Sequence, residues 1–256
     1  MRGIILFILV TILALFLLCE GKDKRVASEP ILKIMTYNIR TGRGMDNVLD
    51  FDRTAEVIKR KQPQIVALQE LDSATQRSQG LITGEELAQR LGMHFVYAPA
   101  IDFDGGSYGI GLLSKEHPLS NRKFPLPGAD ESRCLLLVEF SNYNVAVVHL
   151  SLDEKERIKS CELIIDSLNL NLDKPTFICG DFNDEPESQT ISYLMDKTDL
   201  LSDNKLPTYP ADTPNVVIDY VFVYPKGLNY SISKSKVIED SLASDHRPVY
   251  VELVNI

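Results

Sequence analysis

Six short apolar runs, each interrupted or ended by a polar side chain, constrain this chain more than any other feature. They are MTYN at 35–38, IVALQE at 65–70, VAVVH at 145–149, FICGDFN at 177–183, VVIDYVF at 216–222 and SDHRPVYVEL at 244–253. Apolar runs of four to eight residues bounded by turn residues suit buried strands rather than helices. A carboxylate or imidazole at the end of a buried strand is costly unless it is paired or binds a cation. The fold must therefore bring these ends together, or satisfy each one separately.

The rest of the pattern places these runs in one domain. ILKIMTYNI, QIVALQEL, MHFVYAP, IGLLSK, CLLLVEF, YNVAVVHL, PTFICGD, VVIDYVFVY, SISKSKVI and PVYVELV read as strands. FDRTAEVIKRK at 51–61 has helical spacing and ends before Pro63. Thr83-Gly84-Glu85-Glu86 matches a capping box opening a helix to Arg90, with Gly92 as its stop. Asp153 to Leu170 is the longest helical stretch, with Ile158, Cys161, Leu163, Ile164, Ile165 and Leu168 on its apolar face. SQTISYLMD is a short helix. The elements group as strand–helix–strand–helix followed by strand runs, twice over, with no sequence repeat and no interior linker. Simple βαβ alternation would give a doubly wound sheet; this grouping predicts two mixed sheets packed face to face with helices outside.

The first 19 residues differ in kind. Met1-Arg2-Gly3 precedes about 16 apolar residues ending at Cys19, too short for the roughly 20 of a spanning helix. Residues 1–19 are read as an export signal of lipoprotein type, with Cys19 lipidated; an uncleaved anchor and an ordinary cleaved signal are the alternatives. A polar tether at 20–29 and one domain at 30–256 follow, and the chain is expected to be an exported or envelope-attached monomer. The 256 residues carry a formal charge of −9, and without Arg2 the exported part has 26 basic against 36 acidic side chains, a net −10. That balance argues against holding nucleic acid by phosphate neutralisation alone. Cys134, Cys161 and Cys179 are odd in number and irregularly spaced, so buried thiols are expected rather than a disulfide framework.

Taken singly, the polar strand ends have structural readings: Asp181 as a turn cap after Gly180, Asp219 as an ion-pair partner, Glu70 on the surface, His149 as a core histidine. As a set, Asn38, Glu70, Asp181, Asn183, Asp219 and Asp245 are oxygen donors with no cysteine among them, which suits a hard cation such as Mg²⁺, Mn²⁺ or Ca²⁺. His149 and His246, two of only four histidines, beside such a cation point to phosphoryl chemistry.

The ordered motifs MTYNI, LQE, HLS, GDFN, IDYVF and SDHRPV resemble the endonuclease/exonuclease/phosphatase superfamily, the deoxyribonuclease I, exonuclease III and sphingomyelinase group. Residues 30 to 256 are covered. NIRTGRGMD, LQELD, LGMHFVYAPA, YGIGLLSK, ESRCLLL and the TYPADTP loop look like an exported bacterial subgroup. The resemblance implies a four-layer α/β sandwich. It implies Glu70 as principal metal ligand with Asn38 and Asp245, and Asp181 and Asn183 positioning the attacking water. It further implies His246 on the scissile phosphate, oriented by Asp219, and His149 on a phosphate oxygen or the leaving group. Tyr108 and Arg133 match subgroup positions and are expected to face the substrate, with packing or a surface ion pair as the alternative. Val148 stands where several members carry Thr, and Ile110 where some carry Asn or Glu supporting the histidine.

The implied activity is metal-dependent hydrolysis of a phosphate ester. A diester is favoured, from nucleic acid, a nucleotide or a phospholipid head group; a sugar or inositol phosphomonoester, or a non-catalytic binding protein on this scaffold, are the alternatives. No PAWCDR-like stretch of the inositol-polyphosphate 5-phosphatases is present. The absence of tryptophan and the negative charge disfavour a duplex-DNA repair enzyme.

Overall fold

The computed structural model describes residues 32–170, 174–228 and 231–254. The leader, Cys19 and the tether lie outside them. No helix among the described residues is long and apolar enough to cross a membrane.

The apolar runs form two six-stranded sheets. In one, β1 (Leu32–Asn38), β2 (Ile65–Ser73), β3 (His94–Phe103), β4 (Gly106–Ser114), β11 (Ser231–Val237) and β12 (Val249–Val254) lie in the order β11-β12-β1-β2-β4-β3. In the other, β5 (Ser120–Leu126), β6 (Arg133–Glu139), β7 (Asn144–His149), β8 (Thr176–Asp181), β9 (Asp199–Leu200) and β10 (Asp219–Tyr224) lie in the order β5-β6-β7-β8-β10-β9. Four α-helices, α1 (Phe51–Lys59), α2 (Thr83–Leu91), α3 (Glu154–Asn169) and α4 (Gln189–Lys197), complete the sandwich. Each sheet is antiparallel except at its centre, where β1 pairs β2 and β7 pairs β8 in parallel. Parallel neighbours require a crossover, and α1 and α3 supply them. Both sheets thus follow one plan. The sequence shows no repeat because the plan needs only apolar alternation, not particular residues.

That alternation builds three cores. Ile34, Ile65, Ala67 and Leu112 of the first sheet meet Leu136, Val138, Val147 and Cys179 of the second in the central layer. Met35, Tyr37, Val66 and Leu68 face the other way, onto Phe51, Ala55, Ile58 and Leu87. Ala146, Val148, Ile178 and Phe222 pack under Cys161, Ile164, Ile191 and Leu194. Each fully buried Ile, Leu or Phe contributes about 1.5 to 3 kcal/mol. Cys134, Cys161 and Cys179 are buried free thiols, as expected.

Helix starts follow local chemistry, with one correction. Asp50, Asp153 and Ser188 cap α1, α3 and α4 by accepting the backbone N–H of Arg53, Glu156 and Ile191. The capping box at Thr83 does not form. Ile82 is held in a bridge to Ser73 and becomes the residue before α2, so Thr83 already lies inside the helix and its hydroxyl is buried without a partner among the described residues. Gly92 does close α2, at φ +62. Two strands escaped the sequence reading. β5 is a polar edge strand containing Pro125, and β9 spans two residues.

Candidate active site

Strand register assembles one half of the site. β7 and β8 place His149 opposite Asp181, and β8 and β10 place Asp219 opposite the same Asp181. Gly180 allows the close approach, since a Cβ there would lie 2.1 Å from the Val148 carbonyl oxygen. Two carboxylates directly opposite each other would repel. The arrangement holds only because cations and donors surround them.

The first sheet supplies those groups. Asn38 ends β1 opposite Gln69, and Glu70 follows where the β2–β4 register shifts between Leu68 and Leu71. Glu70 takes φ +59, a left-handed backbone inside a strand, at a cost of about 1 to 3 kcal/mol. Such a bulge re-aims a side chain, here toward Asn38 and the carboxylates of the second sheet. Asn183 at φ +51 is the other left-handed residue of the site; Asp181 accepts its N–H at 2.9 Å, and its side-chain amide donates to the Leu150 carbonyl at 2.9 Å. The SDHRPV segment closes the ring. Ser244 donates to the Asn38 carbonyl at 2.8 Å and receives the His246 N–H at 3.3 Å.

The side chains converge closely. The Asn38 amide donates to Glu70 Oε1 at 3.0 Å and to Asp181 Oδ2 at 3.1 Å. His246 Nδ1 bonds Asp219 Oδ2 at 2.9 Å, while its Nε2 lies 3.5 Å from the Asn38 amide and 3.7 Å from Asp181. His149 Nε2 stands 3.6 Å from Asp181 Oδ2. Asp245 lies 3.7 Å from Arg40. The structure therefore gathers all eight expected residues, Asn38, Glu70, His149, Asp181, Asn183, Asp219, Asp245 and His246, around one centre. Asn38 turns its amide nitrogen, not its oxygen, toward the acids, because Oδ1 accepts the Arg40 N–H at 3.1 Å.

The two histidines take opposite states. Burial alone would lower both, and it pushes His149 down to about 3, Asp181 only partly offsetting it and Arg133 and His246 adding to it. At His246 burial is outweighed by Asp219 and Asp181, which hold it up at about 10. His149 is thus a neutral imidazole at pH 7 and His246 a cation. Glu70 is raised by burial and further by the charges of Asp245 and Asp181, against the Asn38 hydrogen bond. Crowded carboxylates of this kind are relieved by a divalent cation.

The donor set fits one. Asp181, Asp219 and His246 bring donor atoms within 4.8 Å of one another, a buried group able to bind a metal ion in which His246 could take part only as the neutral imidazole, so that with His246 charged the carboxylate oxygens are the donors. Asp219 Oδ2 is committed to His246, yet its Oδ1 is buried with no partner among the described residues, and Glu70 and Asp245 add oxygens to the same cleft. Carboxylate oxygens suit a hard cation.

The cleft encloses about 380 Å³ and is lined by Glu70, His149, Asp181, Asn183, Asp245 and His246 together with Tyr108, Arg133, Glu131, Tyr209, Leu152 and Ile218. Tyr108 is almost wholly buried, and the Arg77 guanidinium behind it lies 5.4 Å from its ring. Asp72 anchors that guanidinium through two 2.7 Å bonds, which gives the acid of LQELD a structural task. Arg133 pairs with Glu131 at 2.8 Å and leaves its buried Nε unpartnered among the described residues. Glu131 and Tyr209 were missed in the sequence because neither stands at a strand end. Ile110, buried near His149, offers it no hydrogen bond.

The model of the endonuclease/exonuclease/phosphatase family matches residues 35–246, from the MTYNI strand to His246. The chain belongs to that family. Its members are phosphoester hydrolases, and this family protein is a phosphate-ester hydrolase. No curated protein matches it significantly in sequence. Solved structures share its fold. A conserved protein of unknown function from Enterococcus faecalis is 20% identical with a TM-score of 0.73, covering 88% of this chain and 100% of its own. The Bacteroides thetaiotaomicron mannosyl-6-phosphatase is 19% identical at 0.72, covering 88% and 100%. The human Nocturnin catalytic domain with bound sulfate is 16% identical at 0.65, covering 87% and 94%. At these identities they speak to the fold, which is the four-layer sandwich expected of the family.

Proposed function

We propose that this protein is a divalent-metal-dependent phosphodiesterase in which water attacks phosphorus in line with the departing oxygen. The carrying observation is geometric: His149 and His246 both stand within 3.7 Å of Asp181, which the Asn38 amide and the Asn183 N–H also hold, in a cleft lined by Glu70 and Asp245. Burial drives His149 down and the neighbouring carboxylates drive His246 up. Two titratable groups driven apart by their surroundings mark an acid–base pair. Asp181 accepts the proton of the attacking water, held in place by the Asn183 N–H. His246, kept cationic by Asp219, donates to the phosphate and balances charge that develops on its oxygens. His149, neutral, accepts or donates one hydrogen bond at a phosphate oxygen or the leaving group. Glu70 and Asp245 would hold Mg²⁺ or Mn²⁺, with Ca²⁺ the third choice, and Asn38 would join them if its amide turned about. The ion when bound supplies neutralisation of the phosphate oxygens. Tyr108 and Arg133 line the substrate side, Arg133 being the one arginine or lysine among the described residues of the cleft.

The structural neighbour called a mannosyl-6-phosphatase favours a monoesterase as the second reading. The leader sequence supports export and anchoring through Cys19, which would give the enzyme phosphate esters outside the cytoplasm. Rates on bis-p-nitrophenyl phosphate and p-nitrophenyl phosphate, with Mg²⁺ or Mn²⁺, separate the readings. Faster diester turnover is expected; a large excess of monoester turnover would replace the first reading with the second. Inertness on both would leave only a binding protein.

A further inference from the structure

The loop Thr208-Tyr209-Pro210-Ala211 is fastened on both sides, yet it presents one aromatic ring outward. Tyr209 exchanges backbone hydrogen bonds with Val216, Arg247 N–H donates to the Thr208 carbonyl at 2.7 Å, and Ala211 N–H donates to the Asp245 carbonyl at 2.7 Å. The Arg247 side chain adds a bond to the Ala211 carbonyl at 2.7 Å. Thr208 and Ala211 are fully buried, whereas Tyr209 is 37% exposed. Its hydroxyl makes no hydrogen bond among the described residues. The ring sits 4.9 Å from that of His246 and lines the cleft. Leu152, 76% exposed, and Ile218 line the same cleft. A large apolar side chain held rigidly at the mouth of a polar cleft is an informative exposure.

Resting on the phosphoesterase reading, we propose that Tyr209, in the cleft that Leu152 also lines, forms a stacking subsite for a flat ring carried by the ester. The substrate class is a small aryl or nucleoside ester with a single phosphate. Three features agree. The cleft volume fits one small molecule. Its single arginine, with no lysine among the described lining residues, offers too little positive charge to track a polyanionic strand. The aromatic face lies beside His246, so a ring stacked there hangs from the phosphorus that His246 addresses.

Non-hydrolysable phosphonates test this without turnover. Phenylphosphonate and methylphosphonate are titrated into the Mn²⁺-loaded protein by calorimetry, using wild type, Tyr209→Ala and Tyr209→Phe. Wild type should favour the phenyl compound by on the order of 10-fold, the scale of ring stacking on an aromatic side chain. Tyr209→Ala should bring that ratio near 1, and Tyr209→Phe should restore it. Equal affinity for the two compounds in wild type, or a Tyr209→Ala variant that keeps the ratio, overturns the subsite. Failure of both phosphonates to bind overturns the phosphoesterase reading and the subsite with it.

Discussion

Asp219→Asn probes the charge state on which the site depends. The substitution keeps the shape, and with the amide oxygen placed where Oδ2 now stands it can still accept the His246 Nδ1 proton, so it removes charge and little else. His246 is 6% exposed, and its folded value near 10 compares with an unfolded value of about 6.5. A group raised on folding stabilises fully below its unfolded pKa and loses that stabilisation as pH rises through the folded one. At about 1.4 kcal/mol per unit, protonated His246 contributes roughly 5 kcal/mol at pH 6, about 4 at pH 7 and under about 1 at pH 10. In Asp219→Asn the foremost group holding His246 charged is lost, and Asp181 and Asp245 alone oppose burial, so His246 is driven down toward neutrality. Urea unfolding in EDTA should show a gap of about 4 kcal/mol between the two proteins at pH 7 that nearly closes by pH 10. Nitrogen-15 NMR of the imidazole should place the wild-type titration well above 8. A wild-type His246 titrating at 6.5 or below, or a gap independent of pH, would refute the reasoning.

Further outcomes are expected elsewhere. Gly180→Ala places a methyl 2.1 Å from the Val148 carbonyl oxygen and should destabilise by about 1 to 3 kcal/mol, read as a lower urea midpoint. The Asp240 carboxyl is held low because the Ala243 and Leu242 N–H groups and Arg60 outweigh its burial. Its stabilisation is present above the ordinary carboxylate range and lost as pH falls through the depressed value, so Asp240→Asn should narrow the acid-side stability of the 240–243 turn, seen by amide exchange at pH 5 against pH 3. Burial pushes the Cys134 thiol up to about 11 and Cys161 to about 12. Native protein at pH 8 should therefore resist a thiol-reactive dye at both until it is unfolded.

What the sequence made legible was the part written in single strands. Asn38, Glu70, His149, Asp181 and Asp219 could be read because a polar group ending a buried apolar run is costly and needs a reason. His246 could be read because SDHRPV precedes the last such run. The bulge at Glu70 could not be read, since it exists only relative to β4. Thr83 misled because the Ser73–Ile82 bridge is non-local and sets where α2 begins. β5 carried no apolar signal, being an exposed edge. Tyr209 lay in a loop whose rigidity comes from backbone bonds to Asp245 and Arg247, residues some 35 positions away. The amide of Asn38 illustrates the same limit: its place was clear from MTYN, but which of its atoms faces the acids depends on Arg40.

The most direct test of the central claim is hydrolysis of bis-p-nitrophenyl phosphate by wild type, Asp181→Ala and His246→Ala, with Mg²⁺ or Mn²⁺ and after EDTA. Metal-dependent turnover is expected, abolished by EDTA, restored by added metal and lowered at least about 10²-fold in each variant. Turnover indifferent to EDTA, or unchanged in the variants, would contradict the account.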